Sequence, residues 1–204
     1  MGVRRMKETI KYLDEHELRR FFQVLKSEGK VRDLLLFTWM YRYGLRVSEA
    51  VGLKLENLKP NPTYPTEILI QRLKGGVSRH YPINGEDTKI LSRWLKKRAE
   101  MESAENNPYL FITRRSGLYR ITTDTISKLM DNYGRASGLS EEKRHPHTLR
   151  HSSAISLLLN GKDINFVKTW LGHKSIQTTL IYSQFAPPQW KTMAQDAIQN
   201  GFFI

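Results

Sequence analysis

The sequence contains no cysteine, so it has no disulfide framework or thiolate-held metal, and a reducing compartment is its natural setting. It also lacks a long apolar run. The longest near-continuous stretch, Leu34 to Tyr41, falls far short of the ~20 residues that span a bilayer. Charges occupy the N-terminus where a signal peptide needs an apolar segment. Zinc-finger spacings, RNP-type aromatic motifs and Walker loops are missing, as are internal repeats and low-complexity linkers. These absences lead to the expectation of a soluble, unexported protein of the cytoplasm.

Acidic residues are also scarce: 20 Asp and Glu face 33 Lys and Arg, for a formal charge of +13 over 204 residues. An excess of this size suits a polyanionic partner, nucleic acid first, without distinguishing DNA from RNA. Hydrophobic residues make up 39% of the chain, enough to bury a core unaided.

Local patterns give a mostly helical order. Asp14 and Glu17 form a capping-box pattern ahead of Leu18, Phe21, Phe22 and Leu25 at helical spacing. A second apolar helix runs from about Val31 to Tyr43. Gly44 then interrupts it, and a third helix begins in Leu45-Arg46-Val47-Ser48-Glu49-Ala50, with Arg46 at its entrance. Residues 67–71 read as a strand and 79–83 as its return partner, with Lys74-Gly75-Gly76 near the turn. A helix carrying Ile90, Leu91, Trp94 and Leu95 follows, then a short extended piece at Leu110 to Ile112. Further helices are expected over 123–136, 147–159, 163–171, 175–183 and 188–199, punctuated by Gly138, Pro146, Gly161, Gly172 and Pro187-Pro188. The economical reading is one α+β domain over 1–204, mainly α with a small antiparallel β-sheet. Residues 1–12 are expected to form an arm and 187–204 a tail with Trp190, Met193, Ala194 and Ile198 at helical spacing.

Moving a phosphodiester without a metal needs a nucleophile, cations for the phosphoryl oxygens and an acid for the leaving oxygen. His147-Thr148-Leu149-Arg150-His151 opens a helix, and His147 and Arg150, three apart, share a face while His151 is expected to point elsewhere. Pro146 suits the first turn of that helix, where free N–H groups favour an anion. His173 sits between Gly172, which can end one helix, and Ser175, which can begin the next. Tyr182 is expected inside the helix over 175–183. A phenol with a pKa near 10 is a poor nucleophile unless cations or a base assist it. Taken singly, each of these residues is more ordinary as surface or packing than as chemistry.

In order, Arg46, Lys74, His147, Arg150, His173 and Tyr182 closely resemble the active-site series of the tyrosine recombinase (phage integrase) family. Four segments carry the resemblance: Gly44 to Glu49, Arg72 to Gly75, His147 to His151, and Leu171 to Ser175 followed by Ile181-Tyr182. It implies that Arg46 and Arg150 clamp the scissile phosphate, that Lys74 on the hairpin protonates the departing 5'-oxygen, and that His147 and His173 position the phosphate or shuttle the tyrosine proton. Arg79 is the second candidate for the lysine's role. Tyr182 would form a 3'-phosphotyrosine link, with Glu49 and His151 in support and with no metal, ATP or other cofactor. The implied partner is double-stranded DNA, bound by a homo-oligomer, a tetramer in the family, whose C-terminal tail packs either on its own domain or on a neighbouring protomer.

Most members of the family carry a DNA-clamping domain ahead of the catalytic one, and no room for it is expected here. The chain then resembles either a fragment of a longer recombinase or the short single-domain fimbrial DNA invertases. Two other activities compete with recombination. One is a type IB topoisomerase-like strand swivelase; the other is a DNA-binding protein without catalysis.

Overall fold

The computed structural model describes residues 10–73, 75–113 and 120–186. Helix α1 (Glu15–Ser27) starts at the expected capping box: the Asp14 side chain accepts the Glu17 N–H and the Glu17 side chain accepts the Asp14 N–H. Its Leu18, Phe21 and Leu25 are buried against α2 (Val31–Arg42). Helix α2 is apolar on nearly every side, as a helix packed all round must be. It touches α1, α4 (Gly85–Ala99) and α6 (Pro146–Leu159) and forms the centre of the main core.

Gly44 ends this central helix in the left-handed region at φ +57, and a side chain there would collide with Leu171. Only glycine fits a left-handed cap this crowded. Helix α3 (Val47–Gly52) follows at once, with Arg46 at its N-cap.

The sheet has three antiparallel strands in the order β1 (Leu58–Lys59), β2 (Glu67–Ile70), β3 (Arg79–Pro82). Both long strands lie within the expected ranges, whereas β1, two residues long, is too short to leave a pattern. Leu58 pairs with Ile68, and Ile68 with Tyr81, so one face of the sheet joins the core. Instead of a strand at Leu110 to Ile112, the chain makes isolated bridges at Tyr109, with Lys54, and at Ile112, with Arg120.

Helix α5 (Thr123–Ala136) and α6 match expectation, Pro146 standing at the first turn of α6. Helix α7 (Ile164–Leu171) is capped by Asp163 and closed by Gly172 at φ +66. A smaller apolar cluster, Ala154, Ile155, Leu158, Val167, Leu171 and Tyr182, joins α6, α7 and the chain beyond them, with Ile10 and Tyr12 packed on it.

The helix expected over 175–183 is corrected. Helix α8 covers only Gln177–Leu180, and a 3-10 turn follows at Ser183–Phe185, so Tyr182 lies between the two. Its N–H bonds to the Thr179 carbonyl, a three-residue reach that tightens the chain out of α-helical register. The expected tail helix over 188–199 and residues 1–9 of the expected arm lie outside the described residues.

Candidate active site

Glu49, on the first turn of α3, is the carboxylate around which the site is built. Its Oε2 accepts the Arg46 N–H at 2.9 Å and its Oε1 accepts Arg46 Nη1 at 2.8 Å. Arg72, just past β2, donates from Nη1 to Oε2 at 2.8 Å, and Arg150 Nη1 lies 3.9 Å from the same oxygen. Arg150 is aimed by two backbone carbonyls, donating from Nη1 to Gly44 and from Nη2 to Leu171 at 2.9 Å. The left-handed turn at Gly44 and the end of α7 therefore orient this guanidinium.

Three guanidinium groups on one carboxylate leave a net positive site, because a buried carboxylate neutralises only one of them. Burial alone would raise the Glu49 carboxyl, but Arg72, the Arg46 N–H and Arg150 outweigh it and hold it below the ordinary carboxylate range. Arg150 is pushed down to about 10 by burial and by repulsion from Arg46 and Arg72, which still leaves it charged at neutral pH. Arg46, the least buried of the three at 24% side-chain exposure, is open to a ligand.

Tyr182 is buried, and its hydroxyl lies 2.7 Å from His151 Nδ1. Burial pushes the phenol up to about 12, while Arg150 and Arg46 pull it back, so both cations are within electrostatic reach of the hydroxyl. The phenol is therefore neutral at rest. His151 is pushed down to about 4 by burial, with His147 and Arg150 adding to it. Both groups being neutral, the tautomer of His151 sets the direction of the bond: with the ring proton on Nε2, the Tyr182 O–H donates to Nδ1.

This overturns the expectation that His151 points away from the site. Residues four apart share a helix face as surely as residues three apart. The rings of His147 and His151 are accordingly neighbours, 6.2 Å between centroids, with His147 exposed on the first turn of α6. His173 follows the Gly172 turn, and its Nδ1 pairs with buried Thr179 Oγ1 at 2.8 Å. Burial, then Arg150, Arg46 and Arg72, push it down to about 4. Arg46, Glu49, Arg150, His151, His173 and Tyr182 are thus brought together. Lys74 lies outside the described residues, and Arg79 is exposed at the start of β3.

Arg72 opens the hairpin segment of the resemblance, but the resemblance implied no role of its own for it. Ile68 and Ile70 alternate inward along β2, and Arg72, two residues past its end, is buried in the same alternation. That periodicity was its available signal. Thr179 had no comparable one.

The histidines make stability depend on pH. Both fold with pKa values near 4 against 6.5 for the free side chain. Between those values the unfolded chain binds the extra protons. Stability is therefore fully present above about pH 6.5 and is lost as pH falls toward 4. Thermal melts of wild type should show this fall, and it should shrink when His151→Gln and His173→Gln are combined; an unchanged slope would contradict the burial of neutral imidazoles.

Among the described residues no group of three or more His, Asp or Glu is arranged to hold a metal ion, and no helix is long and apolar enough to cross a membrane. Residues 11–187 match the phage integrase family. The chain belongs to that family, the tyrosine recombinases. Tyrosine recombinase XerA of Pyrococcus furiosus is 32% identical over 188 residues, which is 92% of this chain and 62% of the relative. Type 1 fimbriae regulatory protein FimE of Escherichia coli is 30% identical over 174 residues, 85% of each protein. Among solved structures, XerH site-specific recombinase bound to a palindromic difH substrate superposes with a TM-score of 0.75 at 26% identity, covering 94% of this chain and 54% of that one. The chain thus spans less than two thirds of the XerA and XerH proteins it matches.

Proposed function

We propose that this chain is the catalytic unit of a site-specific DNA recombinase that cuts and rejoins duplex DNA through a 3'-phosphotyrosine at Tyr182, without metal or ATP. The observation that carries the reading is the Tyr182 hydroxyl, held by His151 within electrostatic reach of Arg46 and Arg150 in a site with more cations than carboxylates. Such a site wants an anion, and a phosphodiester supplies one beside a nucleophile.

In the reaction, the Tyr182 oxygen attacks phosphorus and gives up its proton to a site histidine as the new O–P bond forms. Arg46 and Arg150 hold the two non-bridging oxygens. The P–O5' bond breaks, and Lys74 donates the proton the 5'-oxygen needs, a role worth about 10² to 10⁴ in rate. Attack of a 5'-hydroxyl on the phosphotyrosine reverses each step and joins the strand. Bond energy is stored in the link, which is why no nucleotide is consumed. The partner is double-stranded DNA, and a tetramer on paired sites completes the reading.

The test is incubation with a pool of nicked duplexes of randomised core, followed by a denaturing gel. Wild type should form a covalent adduct, and binding should weaken by ~0.9 log units per neutralised phosphate for each tenfold rise in salt. Absence of any adduct, or salt-independent binding, would overturn the proposal. Arg150→Lys should slow adduct formation by about 10² to 10³, since an ammonium cannot reproduce an aimed two-pronged donor. Near-wild-type rates in that variant would remove Arg150 from the clamp.

A further inference from the structure

The geometry points to Arg72 as a positioning residue that sets Glu49, and through it the Arg46–Arg150 pair, while tying the root of the β2–β3 hairpin to the turn that carries His173. This rests on the recombinase reading for its consequence in DNA cleavage. The placement itself is a matter of contacts.

The Arg72 side chain is fully shielded from solvent. Nη1 reaches Glu49 at 2.8 Å, while Nη2 reaches the Tyr43 carbonyl at 2.9 Å, the Tyr81 hydroxyl at 2.9 Å and the Trp170 carbonyl at 2.7 Å. Those partners come from the end of α2, from β3 and from the last turn of α7. Tyr81 O–H donates to the same Trp170 carbonyl, and Trp170 Nε1 is itself held by the Arg42 carbonyl at 3.0 Å. The stem of Arg72 lies where a Cβ on Gly172 would stand, and a Cβ on Gly76 would come within 2.6 Å of the Gly172 carbonyl oxygen. The hairpin turn and the turn before His173 therefore meet at two glycines, with the Arg72 stem packed against both.

Stability alone does not call for an arginine here. A buried ion pair often gains nothing over an apolar group of the same shape, and Arg72 Nε is buried without a hydrogen-bond partner. What the guanidinium adds is direction. It fixes the Glu49 oxygen that also accepts the Arg46 N–H and faces Arg150. With its side chain fully shielded from solvent and both terminal nitrogens on protein acceptors, it makes no contact with substrate. Its effect has to pass through Glu49 and the two turns.

The test compares wild type, Arg72→Met and Arg72→Lys at a temperature where melts show each to be folded. Single-turnover adduct formation is measured on a nicked duplex selected from the randomised pool. At saturating DNA, Arg72→Met should cleave about 100-fold more slowly, the size expected for misplacing a clamp by about an ångström, with the Kd for DNA unchanged. Arg72→Lys, which keeps the charge but cannot span all four partners, should stay at least about tenfold below wild type. In parallel, carbon-detected NMR follows the Glu49 carboxyl, which should titrate at higher pH in Arg72→Met. This second readout needs no activity: if wild type forms no adduct, the recombinase reading fails while Glu49 still judges the positioning. Cleavage by Arg72→Met within about threefold of wild type, or an unaltered Glu49 titration, would overturn the proposal.

Discussion

Tyr182→Phe is expected to abolish covalent capture of DNA while leaving the fold in place. The ring stays in the small cluster with Ala154, Ile155, Leu158, Val167 and Leu171, and the substitution removes only the hydroxyl and its bond to His151. Losing one such bond costs about 1 kcal/mol, whereas removing a nucleophile from a working site costs at least about 10⁴ in rate. Adduct gels and thermal melts run side by side separate the two. Equal trapping by the variant and wild type would mean that another residue attacks the phosphate. Loss of trapping with a collapsed melt would mean that the phenol is structural.

The largest expected loss of stability comes from Glu49→Ala. Removing this carboxylate leaves Arg46, Arg72 and Arg150 facing one another, the last two nearly shielded from solvent. Breaking a buried ion pair from one side typically costs about 3–5 kcal/mol. For a chain of this size that lowers Tm by roughly 6–20 °C. Glu49→Gln keeps the shape and an acceptor oxygen, so it should fall between Glu49→Ala and wild type. Added phosphate or DNA should recover part of the lost Tm, because an anion in the site replaces the missing charge. A Glu49→Ala melt within about 1 kcal/mol of wild type would show that the arginines relax into solvent once unpaired.

Much of this site was legible from local rules. A helix entrance at Arg46 follows from Gly44 breaking α2, and the α6 start follows from Pro146. The Asp14–Glu17 cap was readable for the same reason, since caps depend on three or four neighbouring residues. Sequence separation hid the rest. The exit from helix at Tyr182 is set by burial against α6 and α7 and by a bond to His151, 31 residues earlier, and no local polarity pattern records either. The wrong direction given to His151 came from treating three-residue spacing as the whole of a helix face, when its i, i+4 relation to His147 placed both rings on one side. Arg72 could have been found by continuing the alternation of Ile68 and Ile70, but its partners Glu49 and Trp170 lie 23 and 98 residues away. The family resemblance named the residues, and the contacts explain how Glu49 holds several of them.

The chemical identity of the protein–DNA link decides whether Tyr182 is the nucleophile. Trapped adduct, digested with protease and nuclease and read by mass spectrometry, should give one modified peptide, carrying a nucleotide 3'-phosphate on Tyr182. Attachment at any other residue, or a linkage through a 5'-phosphate, would contradict a 3'-phosphotyrosine at Tyr182.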